Sequence, residues 1–128
     1  VTPALAARFE PQILAIRRVD SADATAQQGS LRLELLVPGD LSYFEGHFAE
    51  CALLPGVAQL HWAIRFGREH FALPPHFSYL SNVKFMRVIT PGNAPQLTLD
   101  FDAARGELRF EYRVGESVCS SGWVGFSN

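Results

Sequence analysis

The stretch YFEGHFAECALLPGVAQLHWAIRFG, Tyr43 to Gly67, contains two of the chain's four histidines and leads into its most apolar helical pattern. That pattern runs from Pro55 to about Ala72. Pro55 and Gly56 suit the entry of a helix and not its interior. Val57, Leu60, Ala63, Ile64 and Phe66 are apolar, with Ala58 and Trp62 filling in. A helix apolar on nearly every face is expected to be buried on most sides. Its polar exceptions, His61, Arg65 and Arg68 or Glu69, fall at i, i+4 and i+7 or i+8, one stripe of surface. Pro74-Pro75 closes the segment.

Before this helix, TPALAARF reads as a short helix with Pro3 in its first turn, and ILAIRRV as a strand. DSADATAQQGS is small and polar and reads as a loop. LRLELLV, Leu31 to Val37, alternates like a strand with one buried face, stopped by Pro38-Gly39-Asp40. Four strands are expected after the helix. YLSNVKFMRVI runs up to the turn Pro91-Gly92-Asn93; QLTLDFD and ELRFEYRV alternate cleanly around a loop ending in Gly106; SVCSSGWVGFS follows Gly115-Glu116. Alternating runs joined by short glycine-containing loops are antiparallel hairpins. Strands grouped around one helix make the class α+β, and the simplest packing is a curved antiparallel sheet wrapped around one long central helix.

A chain of 128 residues is one domain by length, and 48% hydrophobic residues suffice for a core. The net charge of -2 with scattered basic residues offers no footprint for nucleic acid or an anionic membrane. No apolar run approaches the roughly 20 residues of a membrane span. No charged n-region and apolar h-region open the chain. Cys51 and Cys119 stand apart without a CxxC partner, so neither a disulfide framework nor a zinc site is expected, and a reducing cytoplasm is. A beginning at Val1 rather than Met fits a domain cut from a longer chain.

Gly46-His47-Phe48 followed by Leu53-Leu54-Pro55-Gly56-Val57 resembles the hotdog-fold 3-hydroxyacyl-carrier-protein dehydratases of fatty-acid synthesis. The fuller string YFEGHF…LLPGVAQLHWAI is closer still to the dehydratase-like proteins of aryl-polyene biosynthesis clusters. NVKFMRVITPGN resembles the strand that follows the helix in this superfamily. The resemblance implies a single hotdog domain over residues 1–128, with residues 1–30 an N-terminal extension plus the first strand. It implies that His47 acts on the substrate's α-proton and that the Gly56 N–H binds the thioester carbonyl. A free N–H at the positive end of a helix stabilises the enolate-like oxygen that develops there.

Phe48, Leu54, Pro55, Val57 and Arg65 are the implied substrate-binding set. The implied substrate is a 3-hydroxyacyl chain carried on the phosphopantetheine of an acyl carrier protein, with no further cofactor and no metal. The implied partners are a second copy in a homodimer or higher assembly, the carrier protein, and a fused or neighbouring AMP-dependent acyl ligase.

The chain departs from the family where it matters chemically. The family's Asp or Glu lies fourteen residues after the histidine, on the helix of the partner subunit, and here that position is His61. One helical turn later the frequent Gln is Arg65, and Ala49, Glu50 and Ala52 replace prolines and a glycine of the loop. An imidazole donates a proton only as imidazolium. His61 is therefore expected either to have an anionic partner, with Glu45 or Glu50 as candidates, or to hydrogen-bond the hydroxyl or a water.

Read without the resemblance, His47 beside a phenylalanine and His61 on an apolar helix are structural residues. Arg65 then pairs with an acid across an interface, in preference to meeting the pantetheine phosphate. His70 and His76 read as surface residues, Cys51 as a small, partly buried one, and Trp62 and Trp123 as core or tunnel lining. Two rival functions stand beside dehydration on this fold: thioester hydrolysis and non-catalytic binding of an acyl carrier.

Overall fold

The computed structural model describes residues 8–19, 29–44 and 52–128. The expected N-terminal helix, the loop after the first strand, and His47 and Phe48 therefore lie outside the described residues, apart from a few positions at their edges.

Among the described residues six strands form one antiparallel sheet beside one long helix. They are β1 (Gln12–Val19), β2 (Gly29–Leu36), β3 (His76–Phe85), β4 (Gln96–Asp102), β5 (Glu107–Val114) and β6 (Ser117–Ser127); α1 is Gly56–His70. The spatial order is β1-β2-β4-β5-β6-β3. β4, β5 and β6 follow one another as a meander because their links are short turns at Gly106 and Gly115, both with positive φ. The chain between β2 and β4 carries α1 and then β3, which joins the far side of β6. β1 and β3 are thus the two edges.

The core follows from period-two alternation. Leu31, Leu33 and Leu35 of β2, Leu97, Leu99 and Phe101 of β4, and Leu108, Phe110 and Tyr112 of β5 all turn inward and are buried. Against them α1 sets Ala58, Trp62, Ala63 and Phe66. Gly67 lets the helix sit close, since a Cβ there would lie 2.6 Å from Leu108 Cδ2.

Two expectations are corrected. The helix is not buried on most sides within the chain: Val57 is 72% exposed, and His61, Arg68 and Glu69 are exposed as well. A single sheet covers one face of a helix, and the opposite stripe is left open. The strand after the helix begins at His76 and ends at Phe85, rather than running from Tyr79 to Ile89. Beyond Phe85 the N–H groups of Met86 and Arg87 both donate to the Cys119 carbonyl, and Leu54 N–H donates to Ile89 O at 2.7 Å. The chain has left the ladder there to lie over the helix entry. β3 is also irregular in itself. Its register with β6 shifts twice, and Asn82 within it takes φ 51°, a left-handed conformation that asparagine tolerates better than most residues.

Candidate active site at the helix entry

α1 begins without a side-chain cap among the described residues. Its N-cap is Pro55, and its first turn carries no acidic residue. The N–H groups of Ala58 and Gln59 both reach the Pro55 carbonyl. Helical geometry leaves those of Gly56 and Val57 without an intrahelical acceptor, at the positive end of the helix dipole. Gly56 lines a cavity of about 180 Å³. Leu53, Leu54, Phe85 and Met86 make the cavity largely apolar, and Arg87 adds a charge. Space at this entry favours glycine: a Cβ on Gly56 would lie 2.7 Å from Cζ of the Phe85 ring, which would have to shift. An apolar cavity lined by the first residue of a helix can take an acyl chain and hold, near the positive end of the helix dipole, an oxygen that gains negative charge.

Gln59 is the functional-looking residue that sequence reading passed over. It is 3% exposed and also lines the cavity. Its Oε1 accepts from Ser120 Oγ at 2.6 Å, and its Nε2 donates to the Leu54 carbonyl at 3.2 Å. The buried Tyr112 hydroxyl donates to the Gln59 backbone carbonyl at 2.7 Å. Burial pushes the Tyr112 pKa well above the usual tyrosine value. These bonds tie the residues before Gly56 to β5 and β6. The signal was present: Gln59 stands three and four residues before Trp62 and Ala63, so it belongs to the helix's inward stripe.

The other sequence-derived residues separate into two groups. Leu54 and Gly56 are at the cavity, with Pro55 between them as N-cap. Val57, His61 and Arg65 follow at four-residue intervals along the outward stripe, and none of the three is among the cavity's lining residues. The carboxylate beside His61 among the described residues comes from the segment before β1: Glu10 Oε1 lies 3.8 Å from His61 Nε2. The loop candidates Glu45 and Glu50 lie outside the described residues. Arg65 is held within the chain by the Glu10 carboxylate and, at 3.1 Å, by Glu69. No sequence signal pointed to Glu10, because residues 51 positions apart meet only through the fold. Among the described residues no cluster of His, Cys, Asp and Glu could hold a metal ion, and no helix is long and apolar enough to cross a membrane.

Two solved structures are similar over nearly the whole chain. The dehydratase heterocomplex ApeI:P from Xenorhabdus doucetiae contains a chain 28% identical, with a TM-score of 0.77, covering 91% of this chain and 96% of that one. An uncharacterised protein from Erwinia carotovora subsp. atroseptica is 34% identical, with a TM-score of 0.76, covering 91% and 94%. No curated protein matches. The antiparallel sheet with its single helix is therefore the hotdog fold, as expected. The model of the ApeI-like family, described as ApeI dehydratase, matches residues 23–123, a span that takes in the His-Phe pair, the Pro-Gly helix entry and most of the sheet. On that match this chain belongs to the ApeI-like dehydratase family.

Proposed function

We propose that this protein removes water from a 3-hydroxyacyl chain carried on the phosphopantetheine arm of a carrier protein, leaving a trans-2-enoyl thioester. The observation that carries the reading is the uncapped start of α1, where Gly56 faces an apolar cavity. His47 takes the α-proton, and the Gly56 N–H holds the carbonyl oxygen as charge develops on it. His61 of the other subunit attends the departing β-hydroxyl. The reaction takes place in the cytoplasm and calls on acid–base chemistry and an oxyanion site. Membership of the family and the dehydratase named in the solved heterocomplex support the reaction class, and they favour an aryl-polyene type of acyl chain.

The site is completed by a second chain. Among the described residues β3 has one edge unpaired, and Phe77, Leu80, Phe85, Met86 and Val88 on and after it are large, apolar and exposed, as is Val57. A long edge with apolar side chains is a surface for strand pairing. The similar heterocomplex supports a companion chain, and a second copy of this chain is the alternative occupant.

One reaction read in two channels tests this. A 3-hydroxyacyl-pantetheine thioester is given to the protein, and enoyl absorbance and free thiol are recorded together, with His47→Ala and His61→Ala alongside. Enoyl signal lost in His47→Ala is the expected result. Thiol alone makes the protein a thioesterase. Silence in both channels, even with the acylated carrier and the companion chain supplied, makes it a binding module, the reading that the missing helix carboxylate favours. Unchanged turnover in His61→Ala removes His61 from the mechanism.

A further inference from the structure

We infer that Glu10 is the carboxylate partner of His61, a positioning residue that decides which ring nitrogen the histidine presents to substrate; this rests on His61 acting in the proposed dehydration. The segment that carries Glu10 is fastened to Ser42 on one side and to α1 on the other. Ser42 N–H donates to Arg8 O at 2.7 Å, Arg8 N–H donates to Ser42 Oγ at 2.9 Å, and the indole N–H of buried Trp62 donates to Phe9 O at 2.7 Å. Arg8 and Asp40 add an ion pair at 2.9 Å. Glu10 is the next residue, and its backbone position is set by these bonds rather than by its own charge.

Its carboxylate is divided between two neighbours. Oε2 accepts from Arg65 Nη1, while Oε1 faces His61 Nε2 at 3.8 Å. Glu69 accepts from the Nε of Arg65 at 3.1 Å, so that guanidinium is shared between two carboxylates. Among the described residues the charged groups facing His61 are thus Glu10 and, beyond it, Arg65 with Glu69. The 3.8 Å separation is an ion-pair distance. Such contacts shorten to hydrogen bonds when a site fills.

A carboxylate only accepts, so the proton on that side of the ring sits on Nε2. Nδ1 is then the working nitrogen. When the ring is imidazolium, Nδ1–H donates to the β-hydroxyl. The C–O bond breaks with that proton leaving as water, the Cα–H electrons form the new double bond, and His47 carries away the α-proton. Glu10 balances the imidazolium charge until the transfer. The chain thereby supplies a carboxylate in support of the histidine that stands where the family carries the acid itself.

The test uses protein labelled with nitrogen-15 in histidine, assigned by the signal lost in His61→Ala. In wild-type protein the neutral His61 ring is expected as one tautomer with the proton on Nε2. In Glu10→Gln its two ring signals are expected to move toward tautomer-averaged values, and in Glu10→Asp to stay near wild type. kcat and kcat/KM for dehydration should fall together in Glu10→Gln, on the order of tenfold with KM little changed, and recover largely in Glu10→Asp. Identical ring signals in wild type and Glu10→Gln overturn the inference, whatever the turnover. Signals that respond to Glu10→Gln in a protein without dehydration uphold the pairing and reject the dehydratase reading.

Discussion

Replacing Gln59 by leucine keeps the volume of a side chain that is 3% exposed and deletes both of its hydrogen bonds. Two partners are left behind. Ser120 is fully buried, so its hydroxyl loses its acceptor with no water to replace it, and the Leu54 carbonyl loses a donor. Each stranded group costs on the order of 1–3 kcal/mol. Burying an isobutyl group in place of an amide returns roughly 1 kcal/mol. The expected net loss is about 2 kcal/mol, read from urea unfolding midpoints at constant m-value. Ser120→Ala alone strands Gln59 Oε1 and should cost about 1 kcal/mol. In the double variant Ser120 has nothing left to satisfy, so its stability should be no lower than that of Gln59→Leu by itself. Removing both partners of a buried bond is far cheaper than removing one. Strictly additive losses, or a Gln59→Leu protein as stable as wild type, would refute the idea that this amide joins the helix entry to β6.

Tyr112→Phe should make the protein less sensitive to alkali. Burial raises the native pKa of Tyr112, so above about pH 10 the unfolded chain has released a proton that the native chain keeps. Stability then falls as pH rises, by about 1.4 kcal/mol per unit up to the native pKa, and the phenylalanine variant should lack that slope in unfolding measured between pH 9 and pH 11. Gly125→Ala would place a Cβ 2.2 Å from the Tyr79 ring, whose hydroxyl donates to Glu107 at 2.8 Å. Displacing that ring should destabilise by about 1–2 kcal/mol in chemical unfolding. Leu80→Lys puts a charge on the exposed β3 edge and, if the proposed second chain pairs there, should lower the mass seen by light scattering to that of one chain while leaving the helical circular dichroism intact.

β4 and β5 were legible to the residue, because strict alternation bounded by turns has no competing reading over seven or eight positions, and β6 was legible from the glycine turn before it. The helix was legible from its period and its Pro-Gly start, within two residues at its end. β3 was not, since the apolar run from Tyr79 to Ile89 does not show where hydrogen bonding to β6 stops and the crossing to Leu54 begins. At the site, the histidine spacing and the Pro-Gly entry lay in one continuous stretch and could be matched as a pattern. Gln59 and Glu10 could not, for opposite reasons. Gln59 shows in sequence only its place on the inward stripe of the helix, and its meaning lies in Ser120 and Tyr112, more than fifty residues away. Glu10 sat in a segment with no periodicity at all.

What the amino-acid order determined by itself is therefore local: which runs are strands, where the helix starts, and which chemistry-bearing residues stand fourteen apart around that start. Periodicity and turn chemistry act over a few residues and need no partner. The tertiary structure alone decided which helix face the single sheet leaves open, that a buried amide fastens the helix entry to β6, and that Glu10 stands beside His61. Those outcomes depend on contacts between distant segments, and such contacts exist only after the chain has closed its loops and buried its core.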